Sequence, residues 1–208
     1  MIKALANPGD DELLRLMLAG DAAAFETLYE RRQAGVYRFA LRMSGSESLA
    51  EDVTQDVFIA LMRDGWQYDA TRGSVSAYLY GMARNRVLRR LERDRSFVSM
   101  GDELEDDETA MSEQFITRED PLAEFTRNEI IDSVRQAILA LPAHYREVVV
   151  LCNLQEMSYD EAANVIGCAV GTVRSRLHRA RALLIEKLQT PKEVKKTPHT
   201  IISARYAL

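Results

Sequence analysis

The chain has 208 residues, of which 47% are hydrophobic and 28% charged. This length allows one large domain or two small ones, and the composition excludes a fibrous or wholly disordered protein. A net charge of −5, taken alone, argues against a nucleic-acid-binding protein. Two cysteines argue against a disulfide framework, and neither a membrane span nor a signal peptide is recognisable. We therefore expect a cytoplasmic protein.

The charge is unevenly distributed along the chain. Residues 1–95 contain 14 basic and 14 acidic residues, whereas residues 126–208 contain 12 basic and 8 acidic ones. Between them, residues 96–125 contain one basic and ten acidic residues and have no apolar periodicity. Such a segment is typical of a flexible acidic linker. The net negative charge therefore belongs to the linker, and the flanking parts can still bind nucleic acid.

The first part of the chain predicts four helices from its apolar spacing and its helix-capping residues. The first two cover about residues 10–19 and 21–44. A capping box of Ser48 and Glu51 predicts the start of the third helix. The fourth is expected over about residues 74–95, after a loop.

The part after the linker predicts a second helical block. Its first helix begins near Asn128, and its spacing predicts a buried face. The residues of that face are Ile130, Ile131, Val134, Ala137, Ile138 and Leu141. Another helix follows over 145–154, and a capping box of Ser158 and Glu161 opens a short helix.

Residues 158–181 have the pattern of a helix-turn-helix. The short helix ends at Gly167, and a longer one runs over about 170–188. One face of this longer helix is apolar, and the other carries Arg174 and neighbouring polar residues near its beginning. Arginine there suits guanine in the major groove, and Arg176 and Arg181 suit phosphates. A basic helix face preceded by a helix-turn-helix favours DNA binding over a merely solvated surface.

The fourth helix carries a second basic segment, residues 84–95, with six arginines and two acidic residues. Aromatic residues lie nearby at Trp66, Tyr68, Tyr78 and Tyr80. Cations beside aromatic rings suit single-stranded DNA, whose bases stack and whose phosphates need neutralisation. This signal is weak alone, since the tyrosines suit a core equally well.

Motifs for metal binding and catalysis are lacking in the sequence. Cys152, Cys168, His144 and His178 do not have the spacing of a zinc site. Neither a Ser/His/Asp set, a Gly-rich phosphate loop nor an H-E-x-x-H motif occurs. We therefore expect no metal, no cofactor and no enzymatic activity.

Three segments together resemble the extracytoplasmic-function, or group IV, sigma factors of the sigma-70 family. Residues 166–181 (IGCAVGTVRSRLHRAR) resemble region 4 of that family. Residues 49–58 (LAEDVTQDVF) resemble the region 2 helix that docks on the β′ clamp of RNA polymerase. Residues 78–85 (YLYGMARN) resemble the helix that melts and reads the minus-ten element. Their order is that of the family, which makes the match specific.

The resemblance implies an all-α protein of two helical domains joined by a flexible acidic linker. It places region 2 at residues 10–96, the linker at 97–127, region 4 at 128–190 and a tail at 191–208. The implied function is promoter-specific initiation of transcription on core RNA polymerase. The implied partners are the β′ clamp and β flap of the polymerase, promoter DNA and an anti-sigma factor, without membrane insertion.

The resemblance also implies three sets of site residues. The minus-thirty-five set in region 4 is Thr172, Arg174, Ser175, Arg176, His178, Arg179 and Arg181. The minus-ten set in region 2 is Tyr78, Arg84, Asn85, Arg86, Arg89, Arg90 and Arg93, with an extruded base held near Asn85 and the preceding loop. The polymerase-binding set is Glu51, Asp52, Gln55, Asp56 and Phe58.

The sequence departs from the family at three positions. The family usually has Trp in place of Tyr78, often Asp in place of Arg89, and commonly Pro in place of Ala169. The first two departures affect the detail of the minus-ten pocket.

The alternative function is a stand-alone helix-turn-helix regulator, which would not need the 49–58 segment. A nuclease ranks third, because it would require a metal-binding carboxylate cluster.

Overall fold

Eight α-helices account for most of the computed structural model, which describes residues 8–98 and 121–189. The first four helices are α1 (Asp10–Leu18), α2 (Ala22–Ser44), α3 (Glu47–Asp64) and α4 (Val75–Val98). The last four are α5 (Pro121–Leu139), α6 (Ala143–Val149), α7 (Tyr159–Ile166) and α8 (Val170–Gln189). Within these ranges there are helices and turns but no β-strands, which confirms the predicted all-α fold.

Short irregular turns connect some of these helices. Two 3₁₀ turns, Gly65–Gln67 and Ala70–Arg72, join α3 to α4. A π-helical turn, Val150–Leu154, continues α6. The single helix predicted over 145–154 is therefore an α-helix that widens in its second half.

The predicted start of α3 is wrong by a short distance. Ser46, not Ser48, is the N-cap, and its Oγ accepts a hydrogen bond from the Leu49 N–H at 3.2 Å. Gly45 precedes it in the left-handed conformation with φ of 76°, which ends α2. Because this glycine reverses the chain in one residue, the next helix begins earlier than the capping-box pattern suggested.

The start of α5 also differs from the prediction. This helix begins at Pro121, within the segment assigned to the linker, rather than near Asn128. Proline is favoured at the first helical position, where its missing N–H has no partner to lose. The acidic composition of the preceding residues concealed this helix start.

The first four helices form an N-terminal domain around an apolar core. Its largest fully buried side chains are Leu14, Leu28, Phe39, Met43, Leu61 and Leu79. The Phe39 ring packs against Tyr80 with centroids 5.5 Å apart. Asp10 fastens α1 to α2 through ion pairs with Arg31, at 2.8 Å, and with Arg32.

The last four helices form a C-terminal domain in which α6, α7 and α8 pack around Leu141, Leu151 and Leu177. This domain lies directly against the first, with α7 packed on α4 and α5 on α2. The buried apolar residues of both domains form one continuous cluster. The two domains are therefore docked together in this structure.

Candidate nucleic-acid interface

The helix-turn-helix is formed by α7, a tight turn and α8. The Ser158 Oγ accepts a hydrogen bond from the Glu161 N–H at 3.2 Å, and the Glu161 carboxylate accepts one from the Ser158 N–H at 3.0 Å. This reciprocal pair confirms the predicted capping box. Gly167 ends α7 in the left-handed conformation, with φ of 76°. The turn that orients α8 thus follows from local sequence signals.

The two faces of α8 divide as the sequence predicts. Val173, Leu177 and Ala180 are buried against the domain. The outward face carries the exposed residues Arg174, Ser175, His178, Arg179 and Arg181. Arg174 lies near the beginning of the helix, where a recognition helix reaches base edges.

Local contacts orient the polar residues at the start of α8. The Arg174 guanidinium lies over the Tyr159 ring, 5.9 Å from its centroid, in a cation–π arrangement. The Ser175 hydroxyl donates a hydrogen bond to the Thr172 carbonyl at 3.0 Å. Tyr159 therefore restricts the Arg174 side chain while its guanidinium stays open to solvent.

Arg176 differs from the other arginines of α8. Its side chain is 29% exposed, and its Nη1 donates to the Glu147 Oε1 at 3.0 Å. From the sequence, Arg176 was expected to contact a DNA phosphate. In this structure Arg176 instead neutralises a buried carboxylate of its own domain.

Helix α4 presents the second basic face. Asn85, Arg89, Arg90 and Arg93 are exposed, and Tyr78 and Arg86 are half-buried. Arg84 turns toward the C-terminal domain, where its Nε donates to the Glu147 Oε2 at 2.7 Å. Of the seven residues predicted for the minus-ten set, Arg84 is the one that contacts Glu147, and the other six do not take part in that contact.

The loop before α4 packs an aromatic pair next to this basic face. The Tyr68 and Tyr78 rings lie with centroids 5.6 Å apart. Burial and a hydrogen bond to the Asp11 carboxylate both raise the pKa of Tyr68, so its phenol stays protonated. Trp66 is 71% exposed in the same loop. An exposed indole and two neighbouring phenol rings thus lie at the start of the basic face.

The predicted polymerase-binding set on α3 divides into two groups. Glu51, Asp52, Gln55 and Asp56 are exposed on one side of the helix. Phe58 is only 2% exposed, and its ring packs edge-on against Tyr29 at 4.7 Å. Phe58 is therefore a core residue that positions α3, and its assignment to the docking surface is corrected.

Comparison with known proteins decides the family. Residues 28–97 match the family model described as Sigma-70 region 2, and residues 131–184 match Sigma-70, region 4. The ECF RNA polymerase sigma factor SigW of Bacillus subtilis is 30% identical over 82% of this chain and 91% of its own length. SigM of Mycobacterium tuberculosis is 33% identical over 86% of this chain and 84% of its own length.

This chain belongs to the extracytoplasmic-function sigma factors. The relative SigE of Mycolicibacterium smegmatis is 33% identical over 81% of this chain, which spans only 64% of that relative. Among solved structures, CnrH in complex with the cytosolic domain of CnrY has a TM-score of 0.63 and 27% identity over 86% of this chain and 96% of that one. RpoE in complex with the anti-sigma factor NepR from Bartonella quintana has a TM-score of 0.64 at 24% identity, over 81% of this chain and 98% of that one, and shows the shared fold.

The family supplies the general activity. This sigma factor is a promoter-specific transcription initiation factor for RNA polymerase, and sigma factors are non-catalytic. Its N-terminal domain contains region 2 and its C-terminal domain contains region 4. No His, Cys, Asp or Glu cluster suited to a metal ion occurs within residues 8–98 and 121–189. In the same ranges, the sigma factor has no helix long and apolar enough to cross a membrane.

Several apolar residues of this sigma factor are exposed although the sequence did not predict it. Ile59 and Met62 on α3 are 47% and 51% exposed, beside the acidic face that contains Gln55 and Asp56. Their position outside the apolar stripe of α3 was the available signal. On α5, Ile130, Ile131 and Val134 are exposed, which contradicts the buried face predicted for them. Of the six residues predicted for that face, Ala137, Ile138 and Leu141 are buried.

Proposed function

We propose that this sigma factor reads the minus-thirty-five element with α8, reads and melts the minus-ten element with α4, and binds core polymerase through α3 and α5. The observation that carries the proposal is the outward basic face of α8, the second helix of a complete helix-turn-helix. Arginines on the accessible side of a recognition helix are the groups that discriminate guanine in the major groove. The two family matches support the assignment of one promoter element to each domain.

The minus-thirty-five contacts divide by position on α8. Arg174 and Ser175 are the base-reading residues near its N-terminal end, and His178 and Arg179 continue this face along the groove. Thr172 and Arg181 suit phosphates at the two sides of that face. Arg176 joins the phosphate contacts only if it leaves Glu147.

The minus-ten contacts use the whole exposed side of α4. Asn85 hydrogen-bonds an extruded base, and Arg86, Arg89, Arg90 and Arg93 hold the phosphates of the opened strand. Arg84 joins these phosphate contacts only if it leaves Glu147. The Tyr68–Tyr78 pair and Trp66 supply ring faces for unstacked bases, whose unstacking costs a few kcal/mol. The Tyr78 and Arg89 departures from the family fall on this surface.

Two surfaces suit the polymerase. The acidic side of α3, with Ile59 and Met62 beside it, is suited to the β′ clamp. Charged groups speed the association of two proteins, and apolar groups stabilise the complex once it has formed. The exposed apolar side of α5 is suited to the β flap. Ile130, Ile131 and Val134 form it within one turn of helix.

The remaining assignments complete the proposal. Residues 10–96 act as region 2, 97–127 as a linker that threads the polymerase cleft, and 128–190 as region 4. The ends 97–98 and 121–127 of that linker lie in α4 and α5. An anti-sigma factor is the expected inhibitory partner, because RpoE, which shares this fold, was solved in complex with the anti-sigma factor NepR. We expect a cytoplasmic factor with no enzymatic activity of its own.

Reconstituted transcription tests the function. The chain is added to core RNA polymerase with a promoter taken from upstream of its own gene, and the run-off transcript is measured. We expect initiation that depends on both the chain and the promoter. If no transcript forms from such promoters and the chain binds duplex promoter DNA without polymerase, the stand-alone regulator is favoured. Magnesium-dependent DNA cleavage would favour the nuclease.

Asp52→Arg tests the acidic side of α3. Charge reversal at this exposed carboxylate should weaken core polymerase binding by about threefold to tenfold, because steering charges act mainly on association. The exposed ion pair between Asp52 and Arg90, at 3.4 Å, contributes little to stability, so the melting temperature should stay nearly unchanged. Binding is measured by fluorescence anisotropy of the labelled sigma factor.

Glu26→Arg is the matched control for that variant, because Glu26 is exposed on α2 of the same domain. It should bind core polymerase like the natural chain. If both variants bind core polymerase equally weakly, the effect comes from net charge, and α3 is not part of the docking surface.

A further inference from the structure

The two domains meet at a buried carboxylate. Glu147, on α6 of region 4, is only 2% exposed. Its Oε1 accepts a hydrogen bond from Arg176 of α8 at 3.0 Å, and its Oε2 accepts one from Arg84 of α4 at 2.7 Å. Charge-assisted hydrogen bonds of this length are among the stronger polar contacts in proteins. One carboxylate thus connects the helix assigned to minus-ten with the helix assigned to minus-thirty-five.

Other polar contacts surround this junction. The Tyr80 hydroxyl of α4 donates to the Gln155 Oε1 at 2.8 Å. The Arg42 guanidinium of α2 donates to the Leu154 carbonyl at 3.3 Å, and Arg146 of α6 donates to the Met43 carbonyl. These bonds are specific in geometry and join the same two domains. The docking of the domains is therefore a defined arrangement rather than a loose encounter.

Close packing accompanies the polar contacts. At Gly45, at the end of α2, an added Cβ would lie 3.0 Å from a methyl carbon of Leu139 of α5. Glycine is favoured here, because a Cβ would press on the Leu139 side chain and the φ of 76° disfavours other residues. The interface thus combines a buried ion pair, hydrogen bonds and tight apolar contact.

This docked arrangement cannot hold both promoter elements. By their names the elements lie roughly 25 base pairs apart, which is about 85 Å along B-form DNA at about 3.4 Å per base pair. Arg84 and Arg176 reach opposite oxygens of one carboxylate, at 2.7 and 3.0 Å. The domains must separate before α4 and α8 can each reach its element.

We propose that Glu147 is the centre of an autoinhibitory lock that holds the free sigma factor closed. In the closed state the carboxylate takes the place of a DNA phosphate at Arg84. Binding to polymerase and promoter separates the domains and transfers Arg84 to the opened strand, while Arg176 remains close to Glu147 within region 4. The inhibitory role of the lock rests on the proposed function. The closed state itself rests only on the contacts between the domains.

Glu147→Gln tests the lock in the full-length chain. Glutamine keeps the shape but loses the charge, and its amide NH₂ faces one of the two guanidinium groups. Since loss of one partner strongly destabilises a buried ion pair, the closed state should become less populated. We expect a larger radius of gyration in small-angle X-ray scattering and about tenfold tighter binding of core polymerase, because the cost of opening is reduced. Glu26→Gln, at an exposed position of α2 outside every proposed binding surface, is the matched control and should change neither value.

Gln155→Ala provides a second variant, because Glu147 is buried and its replacement can unfold region 4. It removes the Tyr80–Gln155 hydrogen bond without touching the proposed DNA-binding residues. We expect the same expansion and about threefold tighter polymerase binding. Circular dichroism establishes that each variant is folded.

The outcomes separate clearly. If Glu147→Gln is folded and its radius of gyration is unchanged, the lock is overturned. If Glu147→Gln is unfolded, an unchanged radius of gyration in Gln155→Ala overturns the lock instead. Expansion with unchanged polymerase affinity overturns the inhibitory role. If no version of the chain binds core polymerase, the proposed function fails, whereas the scattering comparison still decides whether Glu147 holds the domains together.

Discussion

Arg174→Ala should reduce transcription from the cognate promoter by about tenfold to a hundredfold. A bidentate arginine–guanine contact contributes about 1–3 kcal/mol of discrimination, and every 1.4 kcal/mol corresponds to about a factor of ten. Arg174 is exposed at the start of α8, and the Tyr159 ring restricts its side chain. The measurement is run-off transcription at a fixed concentration of core polymerase.

Lys187→Ala is the control for this prediction. Lys187 is exposed in the last turn of the same helix, away from the base-reading end. Its loss removes one positive charge and should reduce transcription only slightly. Both variants should bind core polymerase normally. A parallel loss of polymerase binding in Arg174→Ala would contradict its role in reading DNA.

Phe58→Ala should lower the free energy of unfolding of region 2 by about 3–5 kcal/mol. The ring is buried between α3 and α2, and its removal leaves a cavity beside Tyr29. The loss of helical circular dichroism during denaturant titration measures this unfolding, because region 2 consists of helices α1 to α4.

Ile59→Ala is the neighbouring variant that separates the core from the docking surface. Ile59 is 47% exposed, so its truncation should change stability by less than about 0.5 kcal/mol but weaken polymerase binding. Phe58→Ala should show the opposite pattern at temperatures where it is folded. Normal stability with weak polymerase binding in Phe58→Ala would return Phe58 to the docking surface.

Much of the fold could be predicted because its signals are local. The capping box at Ser158, the left-handed glycine at 167 and the apolar stripe of α8 act within a few residues of each other. The exposed basic face of α8 follows from the same spacing. The start of α3 was misplaced because Ser46 and Ser48 offer competing caps, and only the preceding Gly45 distinguishes them.

The misjudged apolar residues have a different cause. Phe58 was assigned to the docking surface by the family resemblance, and its chain neighbours are buried Val57 and exposed Ile59. Ile130 belongs to a stripe that continues into buried Ile138. Periodicity shows which residues share a helix face, but not how far a neighbouring element covers that face. Coverage is a property of packing between helices that are distant in the chain.

The sequence by itself determined the helices, the family and the two basic surfaces of this sigma factor, because caps, periodicity and motifs depend on near neighbours. The role of Glu147 was decided only by the tertiary structure. Its partners Arg84 and Arg176 lie 63 and 29 positions away along the chain, and no local pattern connects them. A buried charge acquires its partners from whichever elements packing brings to it, so the contact that closes the two domains became visible only when the helices were assembled.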